Sequence, residues 1–369
     1  MSTGLSVGFE ELVADVSAGN NKIQRTNYLL TGAHPIVDQG HELIGGYSNS
    51  SEDLVCGGGP WVVFGDHTRS VKYLDQPFCM GADGVKVLRP RSLERLDPKY
   101  LYHFLVAHPV PSAGYSRHFK FLKKLAIPLP PIAEQRRIAA ILDKADALRR
   151  KRKRALELLD SFLVARFIEL FGHPGENSRN LATVSLGQLG KWQSGGTPPR
   201  SQVAYFGGGI KWFSSGDLGK KFSENSSETI TKEALINTSA KLVPSGALML
   251  GMYDTAALKS TIATEDCSCN QAVAFASINQ DIAITEYVYH AIQIGKEHFR
   301  KKQRGVRQKN LNLDLVREIE IPFPPMSDQA LFLSTIKTIE VANSGAAASL
   351  MQQDQLFASL QHRAFSGQL

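Results

Sequence analysis

A proline-rich mark occurs twice in this chain at a fixed distance, and that repeat constrains the fold more than any other feature. Ile127-Pro128-Leu129-Pro130-Pro131 precedes Gln135, and Ile321-Pro322-Phe323-Pro324-Pro325 precedes Gln329. Both pairs are offset by 194 residues (321 minus 127, 329 minus 135). A long stretch free of proline follows each mark; the first closes on Phe171-Gly172, and the second carries Phe365 at the same offset. Weaker copies lie upstream. Phe64-Gly65-Asp66-His67-Thr68 stands where Gly251-Met252-Tyr253-Asp254-Thr255 stands in the second half, Cys79 where Cys267 stands, and Leu12 through Gly19 beside Leu189 through Gly196. Self-similarity at long period means one structural unit built twice. The 369 residues suit two domains of roughly 100–200 residues each. The implied order is globular unit, long helix, globular unit, long helix, with divisions at 1–127, 128–180, 181–321 and 322–369.

The long segments read as helices. Pro130 and Pro131 fit a helix start, and Glu134 suits the first turn. Ile138, Ile141, Leu142, Ala145, Leu148, Leu156, Leu159, Leu163 and Phe167 recur near helical spacing, and Gly172 with Pro174 ends the run. Residues 132–171 would span roughly 60 Å. One apolar stripe of that length needs a partner. The copy at 326–365 supplies it with Phe332, Ile336, Ile339, Leu350, Leu356, Phe357 and Leu360, which predicts an antiparallel coiled coil. The second helix carries the weak helix formers Asn343, Ser344 and Gly345 in its middle. The globular units look mixed α and β. Trp61–Phe64, Val85–Leu88, Ala247–Leu250 and Ala272–Phe275 read as strands, and Leu101–Ala107 and Glu286–Ile294 as short helices.

Hydrophobic residues make up 43% and charged residues 21%, which excludes a disordered tail. No run approaches the roughly 18 apolar residues of a membrane span. Met1 to Asp15 lacks the basic head and apolar core of a secretory signal. Cys56, Cys79, Cys267 and Cys269 fit neither a disulfide framework nor paired zinc spacing, so free thiols in a reducing cytoplasm are expected. The net charge of +7 is unevenly spread: +1 over 1–127, +4 over 128–180, +3 over 181–321 and −1 over 322–369. Three clusters stand out. Arg149 through Arg154 form six consecutive cations within a helix. Arg300, Lys301, Lys302, Arg304, Arg307 and Lys309 flank Gly305, and Arg117, His118, Lys120, Lys123 and Lys124 follow Gly114-Tyr115. Loop cations around a glycine suit phosphate contact; the alternative is a solvated surface. The mid-helix run wraps the whole helix and cannot all face one strand of DNA.

Motifs of chemistry are missing. No Asp/Asn-Pro-Pro-aromatic loop of an amino-methyltransferase occurs among the Pro-Pro pairs, and no Gly-x-x-x-x-Gly-Lys phosphate loop. Nor is there a Glu-x-Lys triplet, and the histidines form no ligand spacing. Gly57-Gly58-Gly59 and Gly207-Gly208-Gly209 read as turns. His67 is either structural or DNA-facing, with no visible nucleophile beside it.

These blocks together resemble one family, the specificity (S) subunit of type I restriction–modification systems. The carriers are Ile127 through Gln135 with Ile138, and the ending Ala364-Phe365-Ser366-Gly367-Gln368-Leu369. In the second unit they are Gly195-Gly196-Thr197-Pro198, Gly208-Gly209-Ile210-Lys211-Trp212, Ser214-Ser215-Gly216-Asp217-Leu218, Ser239 through Gly246, and Asn270-Gln271-Ala272. The resemblance spans essentially the whole chain. It implies an α+β architecture: two mixed α/β target recognition domains, each reading half of a split, asymmetric DNA sequence. Two long antiparallel helices form the coiled-coil spacer, in an internal pseudo-two-fold repeat. It also implies docking of two methyltransferase (M) subunits and two restriction (R) subunits. S-adenosylmethionine, ATP and Mg are then expected on those partners, and no catalysis or cofactor in this chain. Alternatives are a stand-alone DNA-binding scaffold and a degenerate DNA-modifying enzyme. The first unit departs from the pattern: Gly19-Asn20-Asn21-Lys22 stands where Gly-Gly-Thr-Pro would align. The basic run 149–154 faces Asn-Ser-Gly-Ala-Ala-Ala (343–348) in the repeat.

Loop residues are expected to touch DNA. In the first unit these are Lys22, Arg25, Arg69, Tyr115, Arg117, His118 and Lys120. In the second they are Thr197, Arg200, Lys211, Trp212, Ser214, Lys259, Arg304, Arg307, Gln308 and Lys309. Arg, Gln, Ser and Thr read base edges, and Lys mostly sets position on phosphates. Trp212 fits a core role equally well. Arg304→Ala or Arg307→Ala is expected to weaken DNA binding by about 1–3 kcal/mol. Unchanged affinity and salt dependence in both variants would take that loop off the DNA surface.

Overall fold

Both proline-free stretches are helices, Ile132–Phe171 and Met326–Phe365. They belong to a computed structural model that describes residues 6–112, 114, 116–301 and 310–369. Pro131 O accepts from the N–H groups of Glu134 (2.9 Å) and Gln135 (3.1 Å), and Pro325 O from those of Asp328 (3.0 Å) and Gln329 (3.2 Å). The proline thus sits where it breaks the preceding chain and starts the helix. Gly172, at φ +76°, ends the first helix with its N–H on Ile168 O, 2.8 Å away. The second helix is continuous through Asn343, Ser344 and Gly345. Packing overrides their weak propensity, and Asn343 Nδ2 donates to Asp160 Oδ1 at 3.3 Å. A Cβ added at Gly345 would meet nothing within 4 Å. Gly345→Ala is therefore expected to stabilise the helix by about 0.5–1 kcal/mol, seen as a later denaturation midpoint.

The chain divides into two compact units, Met1–Arg154 with Ala346–Leu369, and Ala155–Gly345. Each therefore combines one globular region with the start of one long helix and the end of the other. Within the first unit Arg149 Nε pairs with Asp354 at 2.6 Å and Arg137 Nη2 donates to Leu369 O at 2.8 Å. Within the second, Asp160 meets Asn343 and the ring of Phe167 lies 5.3 Å from that of Phe332. As one number rises the other falls, so the helix segments in each unit run antiparallel.

Each unit has the same layers. Ser6–Gly8 pairs antiparallel with Ala126–Pro128, and Thr183–Ser185 with Glu320–Pro322. Beside this ribbon lies a four-stranded sheet against the helices. Its order is Val13–Asp15, Val85–Pro90, Trp61–Gly65, Val71–Leu74 in the first unit. In the second it is Gln193–Ser194, Val273–Ala276, Leu248–Gly251, Ser260–Ile262. Alternation decides its two faces. Val62 and Phe64 pack on the helix side, Trp61 and Val63 on the other; Leu248 and Leu250 oppose Met249 in the same way. A second four-stranded sheet covers the far side. Its order is Lys22–Ile23, Cys79–Gly81, His34–Val37, Gly46–Ser48 in the first unit. In the second it is Leu242–Val243, Cys267–Cys269, Phe206–Phe213, Glu228–Ile230. The edge strands differ: Lys22–Ile23 is parallel to its neighbour, whereas Leu242–Val243 is antiparallel and comes from another part of the chain.

The repeated residues make repeated bonds. Gln135 is fully buried; its Oε1 accepts from Asp97 N (2.9 Å) and its Nε2 donates to Arg95 O (2.8 Å) and Pro130 O (2.9 Å). Gln329, also fully buried, accepts from Ile284 N (2.9 Å) and donates to Pro324 O (3.0 Å). Asp97 and Ile284 are the N-cap residues of the helices Pro98–Ala107 and Thr285–Arg300. From those helices Tyr100 and Tyr287 donate back to Pro128 O (3.0 Å) and Pro322 O (2.8 Å). The proline mark, the glutamine and the tyrosine thus form one clamp, built twice.

His290 lies on the helix Thr285–Arg300, its ring 5.7 Å from that of Phe332. Its Nε2 has no hydrogen-bond partner among the described residues. Burial, with a smaller push from Lys221, lowers its pKa from 6.5 to about 3. Between those values the unfolded chain binds a proton at this ring that the folded unit does not. The second unit is thus expected to lose stability as pH falls from 6.5 towards 3. His290→Leu should flatten the acid-denaturation curve in that window; an unaltered curve would contradict this account.

No helix among the described residues is long and apolar enough to cross a membrane.

Candidate nucleic-acid interface

In the first unit three turns gather at one end of the sheets, those after His34–Val37, Trp61–Gly65 and Cys79–Gly81. Gln39 ties them: its carbonyl accepts from the hydroxyls of Thr68 and Ser70 (2.9 Å for Ser70), and its Oε1 from His67 N at 3.3 Å. Asp66 N donates to Gly84 O at 2.6 Å. Asp66 is buried, and it anchors the next segment. Its carbonyl accepts from His118 N at 2.9 Å and lies 2.9 Å from His118 Nδ1, and its carboxylate accepts from Phe119 N at 2.6 Å.

These bonds set the predicted contacts in place. Arg117 and Lys120 are exposed on the segment that Asp66 holds, and form no ion pair among the described residues. Arg69 is exposed in the second turn, at φ +64°, with Nη1 donating to Val110 O at 3.2 Å. A left-handed arginine is a strained residue held by its surroundings. Lys22 and Arg25 are exposed, and Ile23 O between them accepts from Ala82 N at 2.8 Å, beside the third turn. His118 requires a correction: it is 1% exposed, and its ring anchors the segment rather than offering a surface. His67 is exposed. Tyr115 lies outside the described residues.

The second unit repeats the arrangement with the turns after Phe206–Phe213, Leu248–Gly251 and Cys267–Cys269. Asn270 N donates to Phe213 O (3.0 Å) and Met252 N to Ala272 O (2.9 Å). Asp217 organises the first turn. Its carboxylate accepts from Ser214 N (2.7 Å), Ser214 Oγ (2.8 Å), Ser227 N (3.2 Å) and the Ser227 hydroxyl. Burial pushes its pKa up, but the bonds from Ser227 and Ser214 outweigh that and hold it below the usual carboxylate range. Thr197 donates its hydroxyl to Gln271 Oε1. The chain reaches this place through Gly195 and Gly196, where a Cβ would strike Cys269 O at 2.2 Å and Ser239 O at 2.0 Å. Close backbone approach therefore requires both glycines.

Several predicted contacts here are already paired. Lys211 is bound by Glu265, and Arg200 by Glu228 at 2.8 Å. Lys259 is half-buried at the end of the second turn, with its N–H on Ala256 O at 2.9 Å. Trp212 is corrected to a core residue: it is 3% exposed and donates Nε1–H to Gly196 O at 3.1 Å. Gly207-Gly208-Gly209 is not a turn but a bulge inside the strand Phe206–Phe213, with Phe206 and Ile210 both opposite Ile230. Arg304, Arg307, Gln308 and Lys309 lie outside the described residues. The residue that follows them, Asn310, bridges to Tyr253, so the chain rejoins beside the second turn. Sequence reasoning missed the acidic partners Glu228 and Glu265 and the anchors Gln39, Asp66 and Asp217. Asp66 and Asp217 stood within quoted blocks; Glu228 and Glu265 gave no local signal.

Comparison with known proteins bears on these paired surfaces. The family model described as type I restriction modification DNA specificity domain matches twice, at residues 13–158 and 179–344. The chain belongs to this family. It is thus a type I restriction–modification specificity subunit with two DNA recognition domains. It is 24% identical over 352 residues to the type I restriction enzyme EcoR124I/EcoR124II specificity subunit of Escherichia coli, covering 90% of this chain and 86% of the relative. Two solved structures share the fold. One is a chain from a study of complex assembly and conformational transition of the type I R-M system. Its TM-score is 0.59 at 16% identity, over 100% of this chain and 99% of that one. The other is the type I restriction-modification S subunit from M. genitalium, with TM-score 0.58 and 13% identity, over 98% and 96%. Both recognition domains carry the three-turn cluster, on different side chains.

Proposed function

We propose that this specificity subunit reads a bipartite, asymmetric DNA sequence and contributes recognition alone, while partner subunits supply the chemistry. Residues 1–127 and 181–321 each read one half-site, and the helical segments 128–180 and 322–369 set their separation. The observation that carries this is the repeat itself. The same layers present the same three turns twice, but with unlike residues on them. Similar scaffolds with different turns suit two different half-sites. In the first unit Lys22, Arg25, Arg69, Arg117 and Lys120 meet the duplex. In the second, Thr197, Arg200, Lys211, Ser214, Lys259 and the segment holding Arg304, Arg307, Gln308 and Lys309 do so. The clamp recurs around both proline marks, which suits two identical methyltransferase subunits docking on a pseudo-symmetric chain. S-adenosylmethionine then belongs to those subunits, and ATP and Mg to the two restriction subunits.

The test pairs the purified chain with an adenine methyltransferase subunit, S-adenosylmethionine and genomic DNA. Methylation confined to one bipartite sequence, and only with both proteins present, supports this reading. Methylation or cleavage by the chain alone would show a degenerate enzyme. Specific binding without any methylation would show a stand-alone scaffold.

A further inference from the structure

One exposed arginine beside the turn cluster of the second unit is fixed on several sides. Arg200 Nη1 donates to both carboxylate oxygens of Glu228, at 2.9 and 2.8 Å. Its guanidinium carbon lies 4.8 Å from the ring centroid of Phe206 and 5.2 Å from that of Trp212. Those rings meet edge to face at 6.1 Å. The platform is itself rigid. Trp212 is buried and bonded to Gly196 O, and the glycine bulge brings Phe206 back opposite Ile230. Yet the Arg200 side chain is 59% exposed, and its Nε and Nη2 protons make no hydrogen bond among the described residues. The site adjoins the cluster on two sides: Glu228 follows Ser227, which is bonded to Asp217, and Arg200 follows Thr197, which is bonded to Gln271.

A solvated arginine loses much rotamer freedom when it binds; this one has lost it beforehand. Arg200 and Glu228 together carry no net charge, so they add little to the long-range attraction of phosphates. What remains is a planar edge with two N–H donors side by side. That edge matches two adjacent acceptors, as guanine offers with O6 and N7 in the major groove. We propose that Arg200 reads one guanine of the second unit's half-site, and that Glu228 is the positioning residue that aims it. This rests on the turn cluster being the DNA face. Carried forward, the 177-residue offset that lays Leu12–Gly19 beside Leu189–Gly196 puts Ile23, not a cation, opposite Arg200.

The test uses the full chain with its methyltransferase subunit and a pool of duplexes with a randomised core, whose bound fraction is sequenced. The wild type is expected to select a bipartite motif. Arg200→Ala should lose one guanine from one half-site, a discrimination of roughly ten- to a hundredfold, and keep every other position. Glu228→Gln should weaken that same guanine and raise binding to non-target duplex. Replacing the guanine with 7-deazaguanine, which lacks N7, should weaken wild-type binding but not that of Arg200→Ala. An identical motif from wild type and Arg200→Ala overturns the proposal while leaving the DNA-reading function intact. A uniform loss across all positions also overturns it, since that marks a structural role. An unaltered guanine in Glu228→Gln overturns the positioning role. If the wild type selects no motif, the functional reading fails and takes this proposal with it.

Discussion

Gln135→Ala is expected to destabilise the first unit by about 2–4 kcal/mol. The side chain is fully buried and makes three hydrogen bonds, to Asp97 N, Arg95 O and Pro130 O. Its removal leaves buried backbone groups without partners and opens a cavity. Asp97 N belongs to the cap of the helix Pro98–Ala107, so the loss reaches Tyr100 and its bond to Pro128 O. Gln329→Ala should do the same to the second unit through Ile284 N and Pro324 O. Amide hydrogen exchange reads this better than a global transition, because two units need not unfold together. In Gln135→Ala, amides of Tyr100 to Leu105 should exchange about thirty- to a thousandfold faster at 1.4 kcal/mol per decade, while those of Tyr287 to Ile292 hold their rates. Gln135→Met fills the volume without the bonds and should recover only part of the loss. Equal exchange in Gln135→Ala and wild type would show that the clamp contributes nothing.

What could be read from sequence follows from how local each signal is. The long helices were legible to the residue, 132–171 and 326–365, because proline at one end and glycine near the other punctuate the backbone directly. The strands Trp61–Gly65 and Leu248–Gly251 were legible as short apolar runs. The glycine run 207–209 was misread because a bulge and a turn ask the same of the backbone, and only the partner strand at Ile230 separates them. The site was harder still. Arg200 and Lys211 looked like free cations, but their partners Glu228 and Glu265 come from distant segments. His118 and Trp212 carry polar atoms that suit DNA equally well. Their burial depends on Asp66 and Gly196, which tertiary packing brings to them. Lys22, Arg25, Arg117 and Lys120 are exposed, and none of them forms an ion pair among the described residues.

The crossing of the helices makes a sharper prediction than the clamp does. Phe171 ends a helix that starts in the first unit, yet it is 1% exposed within the core of the second. Its ring lies 5.0 Å from Phe167, 5.2 Å from Tyr287 and 5.7 Å from Phe332. Phe365, its copy 194 residues on, packs in the first unit, 5.4 Å from Tyr100 and 5.5 Å from Phe104. Each unit is therefore closed by the terminal phenylalanine of the helix that begins in the other. Phe171→Ala should destabilise the second unit by about 3–5 kcal/mol, the usual cost of an emptied aromatic site. Phe365→Ala should destabilise the first by somewhat less, because its ring is only partly buried. Exchange at Tyr287 to Ile292 should accelerate only in Phe171→Ala, and at Tyr100 to Leu105 only in Phe365→Ala. A mutation near residue 171 would then leave the unit that its own helix starts in untouched. If Phe171→Ala instead loosens Tyr100 to Leu105, the two units are not closed independently and unfold as one cooperative body.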